Sequence, residues 1–117
     1  MTVSQFRKIA LGLPGAEERA HMGHPDFRVA GKIFATLGYP DKDWGMVALT
    51  PEQQEGYLQA HPDVFVRAAG AWGQRGSTLV RLKAADPETV GDAVTAAWKN
   101  RAPKKPSTAR RPARRSP

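Results

Sequence analysis

The chain has 117 residues, of which 40% are hydrophobic and 25% charged, with no cysteine and a formal net charge of +7. That length suits one domain and excludes two full ones, and the missing thiols exclude disulfides, thiolate metal sites and cysteine nucleophiles. No apolar run approaches the roughly 20 residues of a membrane span, and the opening Met1 to Lys8 has no signal-peptide apolar core. A cytoplasmic, non-membrane protein is the expectation.

Val3, Phe6, Ile9, Ala10 and Leu13 recur at helical spacing and predict a helix over residues 3–12, stopped by Gly12, Pro14 and Gly15. The period then changes. Glu17 to His21 is short and mostly polar, as an edge strand would be, and Asp26 to Val29 alternates. Ala30-Gly31 falls where a two-residue hairpin turn is needed, with Lys32 to Leu37 as the return strand. Pro40-Asp41-Lys42-Asp43 is turn chemistry and Trp44 to Leu49 reads as the next strand. These connections are too short for parallel crossovers, so the strands form an antiparallel meander.

Thr50-Pro51-Glu52-Gln53 predicts a helix start, with Thr50 as cap, Pro51 at the first position and Gln53 closing a capping box. That helix ends near His61, ahead of Pro62. Val64 to Arg67 is strand-like, the stretch holding Gly70, Gly73 and Gly76 reads as a broken turn, and Thr78 to Leu82 is a last strand. Asp86 then caps a final helix with Pro87 at its first position and an apolar stripe of Val90, Ala93, Val94, Ala97 and Trp98. The order is helix, four strands, helix, two strands, helix. It predicts an α+β two-layer sandwich, with the N- and C-terminal helices packed on a mainly antiparallel sheet. Phe6, Phe34, Trp44, Tyr57 and Trp98 are assigned to the core.

The charge is unevenly placed. Residues 1–100 contain eleven Lys or Arg and eleven Asp or Glu, so they sum to zero. The excess is Arg101, Lys104, Lys105, Arg110, Arg111, Arg114 and Arg115, a stretch without one acid. The chain therefore divides into a domain at residues 1–102 and a disordered basic Pro/Arg/Lys-rich tail at 103–117, too polar to bury apolar surface.

Three segments carry a family resemblance: Gly23-His24-Pro25-Asp26-Phe27-Arg28-Val29-Ala30-Gly31-Lys32-Ile33-Phe34-Ala35, then Trp72-Gly73-Gln74-Arg75-Gly76-Ser77-Thr78, then Ala96-Ala97-Trp98. In these the domain resembles the MmcQ/YjbR family of small bacterial proteins. The resemblance implies a frataxin-like fold, two helices over an antiparallel sheet, and DNA binding, a label that rests on structural analogy. Ser77 departs from the bulky or aromatic residue frequent in the family after the Trp-Gly…Gly turn. Iron binding of the frataxin kind is not carried over, because the first helix bears Arg7 and Lys8 and no acid precedes Glu17.

Among candidate sites the basic tail comes first: Lys104, Lys105, Arg110, Arg111, Arg114 and Arg115 make an extended polycation able to follow phosphates without reading bases. The plainer alternative is a solubilising extension. Next is the glycine-punctuated turn, where Trp72 could stack on a base and Arg75 could reach a phosphate, with Arg67, Arg81 and Lys32 on nearby strands completing a small basic surface. The reading favoured at this point has Trp72 in the core instead. His21, His24 and Asp26 do not make a convincing metal site, since residues three apart on a strand point to opposite faces. No nucleophile motif and no Gly-Lys-Ser/Thr phosphate loop occurs. The expectation is a non-enzyme without cofactor or metal, a monomer whose partner is nucleic acid, most of all DNA through nonspecific phosphate contacts. The alternative is a protein-interaction or small-ligand module with an incidental tail.

Overall fold

Thr2 opens the first helix, α1 (Val3–Leu11), with a reciprocal cap: its hydroxyl accepts from the Gln5 N–H at 3.1 Å and its own N–H donates to Gln5 Oε1 at 2.8 Å. The computed structural model describes residues 1–21 and 23–103, and the basic segment 104–117 lies outside the described residues. After α1 come the strands β1 (Glu17–His21), β2 (His24–Val29), β3 (Lys32–Leu37) and β4 (Trp44–Ala48), then the helix α2 (Pro51–Ala60) and the strand β5 (Phe65–Arg67). A five-residue helix α3 (Gly70–Gln74), the strand β6 (Ser77–Arg81), a 3-10 turn at Leu82–Ala84 and the helix α4 (Pro87–Arg101) complete the domain. Thr50 and Gln53 cap α2 reciprocally, while Asp86 accepts from the Thr89 N–H at 2.9 Å to start α4. Among the described residues no helix is long and apolar enough to cross a membrane.

The six strands form one antiparallel sheet in the order β1-β2-β3-β4-β6-β5. The β2–β3 hairpin turns through Ala30 (φ 52°) and Gly31 (φ 80°), the pair of positive φ values that a two-residue turn between twisted strands requires. Between these strands the register slips: Phe27 faces Ala35 and Arg28 faces Ile33, leaving Phe34 over as a bulge. Both Phe34 and Ala35 are consequently buried, a break in period that strict alternation does not anticipate.

The helices α1, α2 and α4 lie on one face of the sheet, and the core sits between. Phe6 and Ala10 of α1 and Val90, Ala93, Val94 and Ala97 of α4 meet Phe27, Phe34, Ala35, Leu37, Val47 and Val80. The sequence-based order needs three corrections. The glycine stretch after β5 is a short helix; α2 joins the terminal helices over the sheet, with Tyr57 and Phe65 rings 5.0 Å apart; and Leu82 belongs to the 3-10 turn, so β6 ends at Arg81. Phe6 and Phe34 are fully buried as assigned, whereas Trp44, Tyr57 and Trp98 are only half-buried.

Register also fixes two ends. The β2–β3 turn, the β4–α2 junction, α3 and the last turn of α4 share one, since Ala48 pairs with Ser77 and accepts a hydrogen bond from Asn100 Nδ2 at 3.1 Å, and Arg101 Nε donates to the Ile33 carbonyl at 3.2 Å. This is the hairpin end. Asp43, Asp63, Leu82 and Asp86 mark the opposite one.

Candidate nucleic-acid interface

The short helix α3 is built by two close approaches. A Cβ at Gly73 would overlap the Ala68 carbonyl oxygen, and one at Gly76 would overlap the Leu49 carbonyl oxygen. Gln54 of α2 secures the same segment from beneath: it is 1% exposed, and its amide Nε2 donates toward the carbonyls of Gly73 (3.0 Å) and Ser77 (3.0 Å) and the Thr78 hydroxyl (3.1 Å). On this fixed base Trp72 is 69% exposed, which corrects the expectation that it packs into the core. The reason is the helix itself: Gly73 takes the inward position and the neighbouring indole is turned outward.

The five residues expected to share one basic surface do not. Arg67 lies on the helix-bearing face, in register with buried Thr78, and pairs with Glu55 of α2 at 3.1 Å. Arg81 lies on the other face at the opposite end, its guanidinium 4.7 Å from the centre of the Trp44 ring and its Nε donating to the Asp63 carbonyl. Lys32 stands at the hairpin, three strands from Arg67, or about 14 Å across the sheet. Of the five, Arg75 at the C-cap of α3 is near Trp72 alone; its N–H is shared between the Ala71 and Trp72 carbonyls, each at 3.1 Å. The tail residues Lys104, Lys105, Arg110, Arg111, Arg114 and Arg115 lie outside the described residues.

What the fold does collect is charge by end. Arg7, Arg19, Arg28, Arg67 and Lys83 are in ion pairs with Glu18, Glu17, Asp26, Glu55 and Asp43. Of the described cations without such a pair, Lys32, Arg75, Lys99 and Arg101 stand at the hairpin end, where Glu52 is the unpaired acid. The unpaired acids Asp41, Asp63, Asp86 and Glu88 stand at the other end, beside Lys42, Arg81 and the Met1 ammonium, which donates to the Leu82 and Ala85 carbonyls. The domain, one charge from neutral, is thus polarised, and α4 stops at its basic end. Arg101 was counted in the sequence only as a tail charge; its role in the polarity depends on where α4 ends, which composition does not reveal.

Other candidate chemistry is sparse. One open hollow of about 300 Å³ is lined by Glu52, Gln53, Gly56, Tyr57, Ala60 and His61. A second, of about 480 Å³, lies at the hairpin end among Pro14, Gly15, Val29, Ala30, Trp98, Ala102 and Pro103, where the Trp98 indole N–H donates to the Pro14 carbonyl at 2.9 Å. Neither gathers converging polar groups of the kind that fix a ligand. Burial, then the charge of Asp92, raises the Tyr57 phenol above its ordinary value. The Thr89 backbone N–H, followed by its hydroxyl, lowers the Asp86 carboxyl, as an N-cap should. His21 and His24 are direct partners across the β1–β2 hairpin, so the alternation argument used against a metal site there was misapplied. Among the described residues no group of three or more His, Asp or Glu is placed to hold a metal ion.

A second surface was missed. The row Asp26–Thr36–Met46–Leu79–Val66 crosses the sheet on the face away from the helices, with Trp44 and Ile33 beside it. Its apolar members Met46, Leu79 and Val66 are half-buried, and α1 and α4 pack on the opposite residue set. The signal was available in Trp44 to Leu49, which carries no polar side chain on either alternating set, a pattern that an antiparallel sheet with one solvated face does not call for.

The YjbR family model matches residues 11–100. The fold is also similar to the crystal structure of Deinococcus radiodurans protein DR2400, a protein of the domain family DUF419, with a TM-score of 0.70, 19% identity, and 83% of this chain and 75% of that one covered. At that identity the likeness concerns the fold. No curated protein matches the chain.

Proposed function

The chain belongs to the YjbR family, and on that premise we propose that it is a non-catalytic nucleic-acid-associated protein held to phosphates by its C-terminal basic segment and the basic end of its domain. The observation that carries this reading is the charge polarity: Lys32, Arg75, Lys99 and Arg101 share the end of the sheet where α4 stops, and the sequence after it holds six further cations and no acid. A domain whose charges nearly cancel would otherwise gain little from the phosphate field. Such contacts give affinity and on-rate, with no base-sequence readout.

Salt titration of binding to duplex DNA tests this, with the full chain compared with residues 1–102. Losing Lys104, Lys105, Arg110, Arg111, Arg114 and Arg115 should flatten the slope of log K against log salt by up to about 5. Equal affinity and equal slope in the two proteins would remove the segment from the mechanism.

The open sheet face favours a second reading, a protein-interaction module. Under it, Met46→Lys or Leu79→Lys would abolish capture of a partner without touching nucleic-acid affinity.

A further inference from the structure

We infer that Trp72 is a base-stacking platform, so that the nucleic acid engaged at the hairpin end is single-stranded. The inference rests on the nucleic-acid reading above and specifies its substrate. The three tryptophans differ in kind. Trp98 is half-buried and spends its indole N–H on the Pro14 carbonyl, and Trp44 is covered by the Arg81 guanidinium. Trp72 is 69% exposed and has neither a ring partner nor an acceptor for its N–H among the described residues.

Exposure alone would be unremarkable in a floppy loop, but this segment is fixed. Gly73 and Gly76 admit no side chain, and the buried Gln54 amide ties the Gly73 and Ser77 carbonyls to α2. A large aromatic held rigidly in solvent costs little entropy when a partner meets it. Arg75 follows one turn later, on the same side of the helix, without a carboxylate partner.

The partner that fits is a strand whose base faces are open. In a duplex each base already stacks on its neighbours, and a side chain can reach a face only after paying a few kcal/mol to unstack it. A single strand offers the face directly, with Arg75 one turn along to take a neighbouring phosphate.

Binding of the full chain is measured with oligothymidylate, with oligouridylate and with a blunt DNA duplex of equal length, at one salt concentration. Single strands should bind more tightly than duplex. Trp72→Ala should weaken single-strand binding about 5- to 150-fold, the worth of one stacked base, while leaving duplex affinity and the salt slope unchanged. Trp72→Phe should recover most of that loss, and the single-strand-induced quench of tryptophan emission should vanish in both variants. A larger Trp72→Ala effect on oligothymidylate or on oligouridylate identifies DNA or RNA as the ligand. Unchanged single-strand affinity in Trp72→Ala, or an equal loss on duplex, overturns the stacking inference while the phosphate reading stands. If the unaltered chain binds none of the three polymers, the phosphate reading itself fails and the stacking inference with it.

Discussion

Gln54 is the test of whether α3 is held as described. Its amide nitrogen has two hydrogens and faces three acceptors within 3.1 Å, so two hydrogen bonds form at a time. Both backbone acceptors keep a second donor, Gly76 N–H for the Gly73 carbonyl and Ala68 N–H for the Ser77 carbonyl. Gln54→Leu therefore strands no carbonyl and loses the two bonds alone, about 1–3 kcal/mol. Gln54→Glu is worse, because a buried carboxylate would face oxygen atoms with no donor among them; the Thr78 hydroxyl already donates to the Gly76 carbonyl at 2.8 Å. Burial and those dipoles raise the folded-state pKa of the new carboxyl above its unfolded value. Folding then favours the protonated form, so the penalty is small at low pH and grows as pH rises through the carboxylate range toward the folded-state pKa. Urea unfolding of both variants should show Gln54→Leu displaced equally at about pH 4 and pH 7, and Gln54→Glu losing about 2–3 kcal/mol more at the higher pH. A Gln54→Glu penalty independent of pH, or a Gln54→Leu cost below about 0.5 kcal/mol, would refute the idea that this amide anchors the segment.

Four further outcomes are expected. Gly73→Ala forces a Cβ into the Ala68 carbonyl and should cost about 2–3 kcal/mol or more in denaturant unfolding. Ala30→Asn, which puts an Asn-Gly pair into a turn whose first residue has φ 52°, should stabilise by about 0.5–1 kcal/mol and raise the melting temperature by a few degrees. The Asp86 carboxyl is lowered in the fold, so its capping contribution is present above the unfolded pKa and is lost as pH falls through the folded one. Asp86→Asn should thus keep a cap while flattening that acid limb of the stability profile. In a Tyr39→Phe background, phenolate absorbance should show Tyr57 ionising above its ordinary value, and Asp92→Asn should correct only the smaller part of the shift, since burial is the larger cause.

The fold was legible where local chemistry and tertiary demand agree. Thr50-Pro51-Glu52-Gln53 and Asp86-Pro87 announce helices because a cap and a proline satisfy backbone groups in the first turn whatever packs against them. Ala30-Gly31 was legible as a turn because few residues tolerate the required φ. The segment around Trp72 was not, because its glycines read as loop-makers when they are contact residues: Gly73 and Gly76 are small to let α3 sit on Ala68 and Leu49. Once α3 was read as a broken turn, a tryptophan among glycines looked like a core anchor. Lys32, Arg67 and Arg81 failed as a group for a second reason. Strands near in sequence need not be neighbours in the sheet: the order β3-β4-β6-β5 puts Lys32 three strands from Arg67, and the register that pairs Arg67 with Thr78 and Arg81 with Trp44 puts those two arginines on opposite faces.

Net charge concealed the most useful property of the domain. Over residues 1–100 eleven cations and eleven anions cancel in a sum, yet α4 is capped by Asp86, carries Glu88 in its first turn and ends at Lys99 and Arg101, running with its macrodipole complement from one end of the sheet to the other. Arrangement of this sort stabilises the helix on its own, so helix stability alone accounts for Lys99 and Arg101. It does not account for Lys32 and Arg75, which come from β3 and from the C-cap of α3 and gain nothing from that dipole. Their placement at the end where α4 stops suits a phosphate ligand and is not explained by that dipole. Reversing both, Lys32→Glu with Arg75→Glu, leaves every described ion pair intact and should therefore leave stability within about 0.5 kcal/mol. Nucleic-acid affinity should fall by the loss of two phosphate contacts, with the salt slope shallower by about 2. Intact affinity and slope in a stable double variant would assign both residues to ordinary surface and leave phosphate binding to the C-terminal segment.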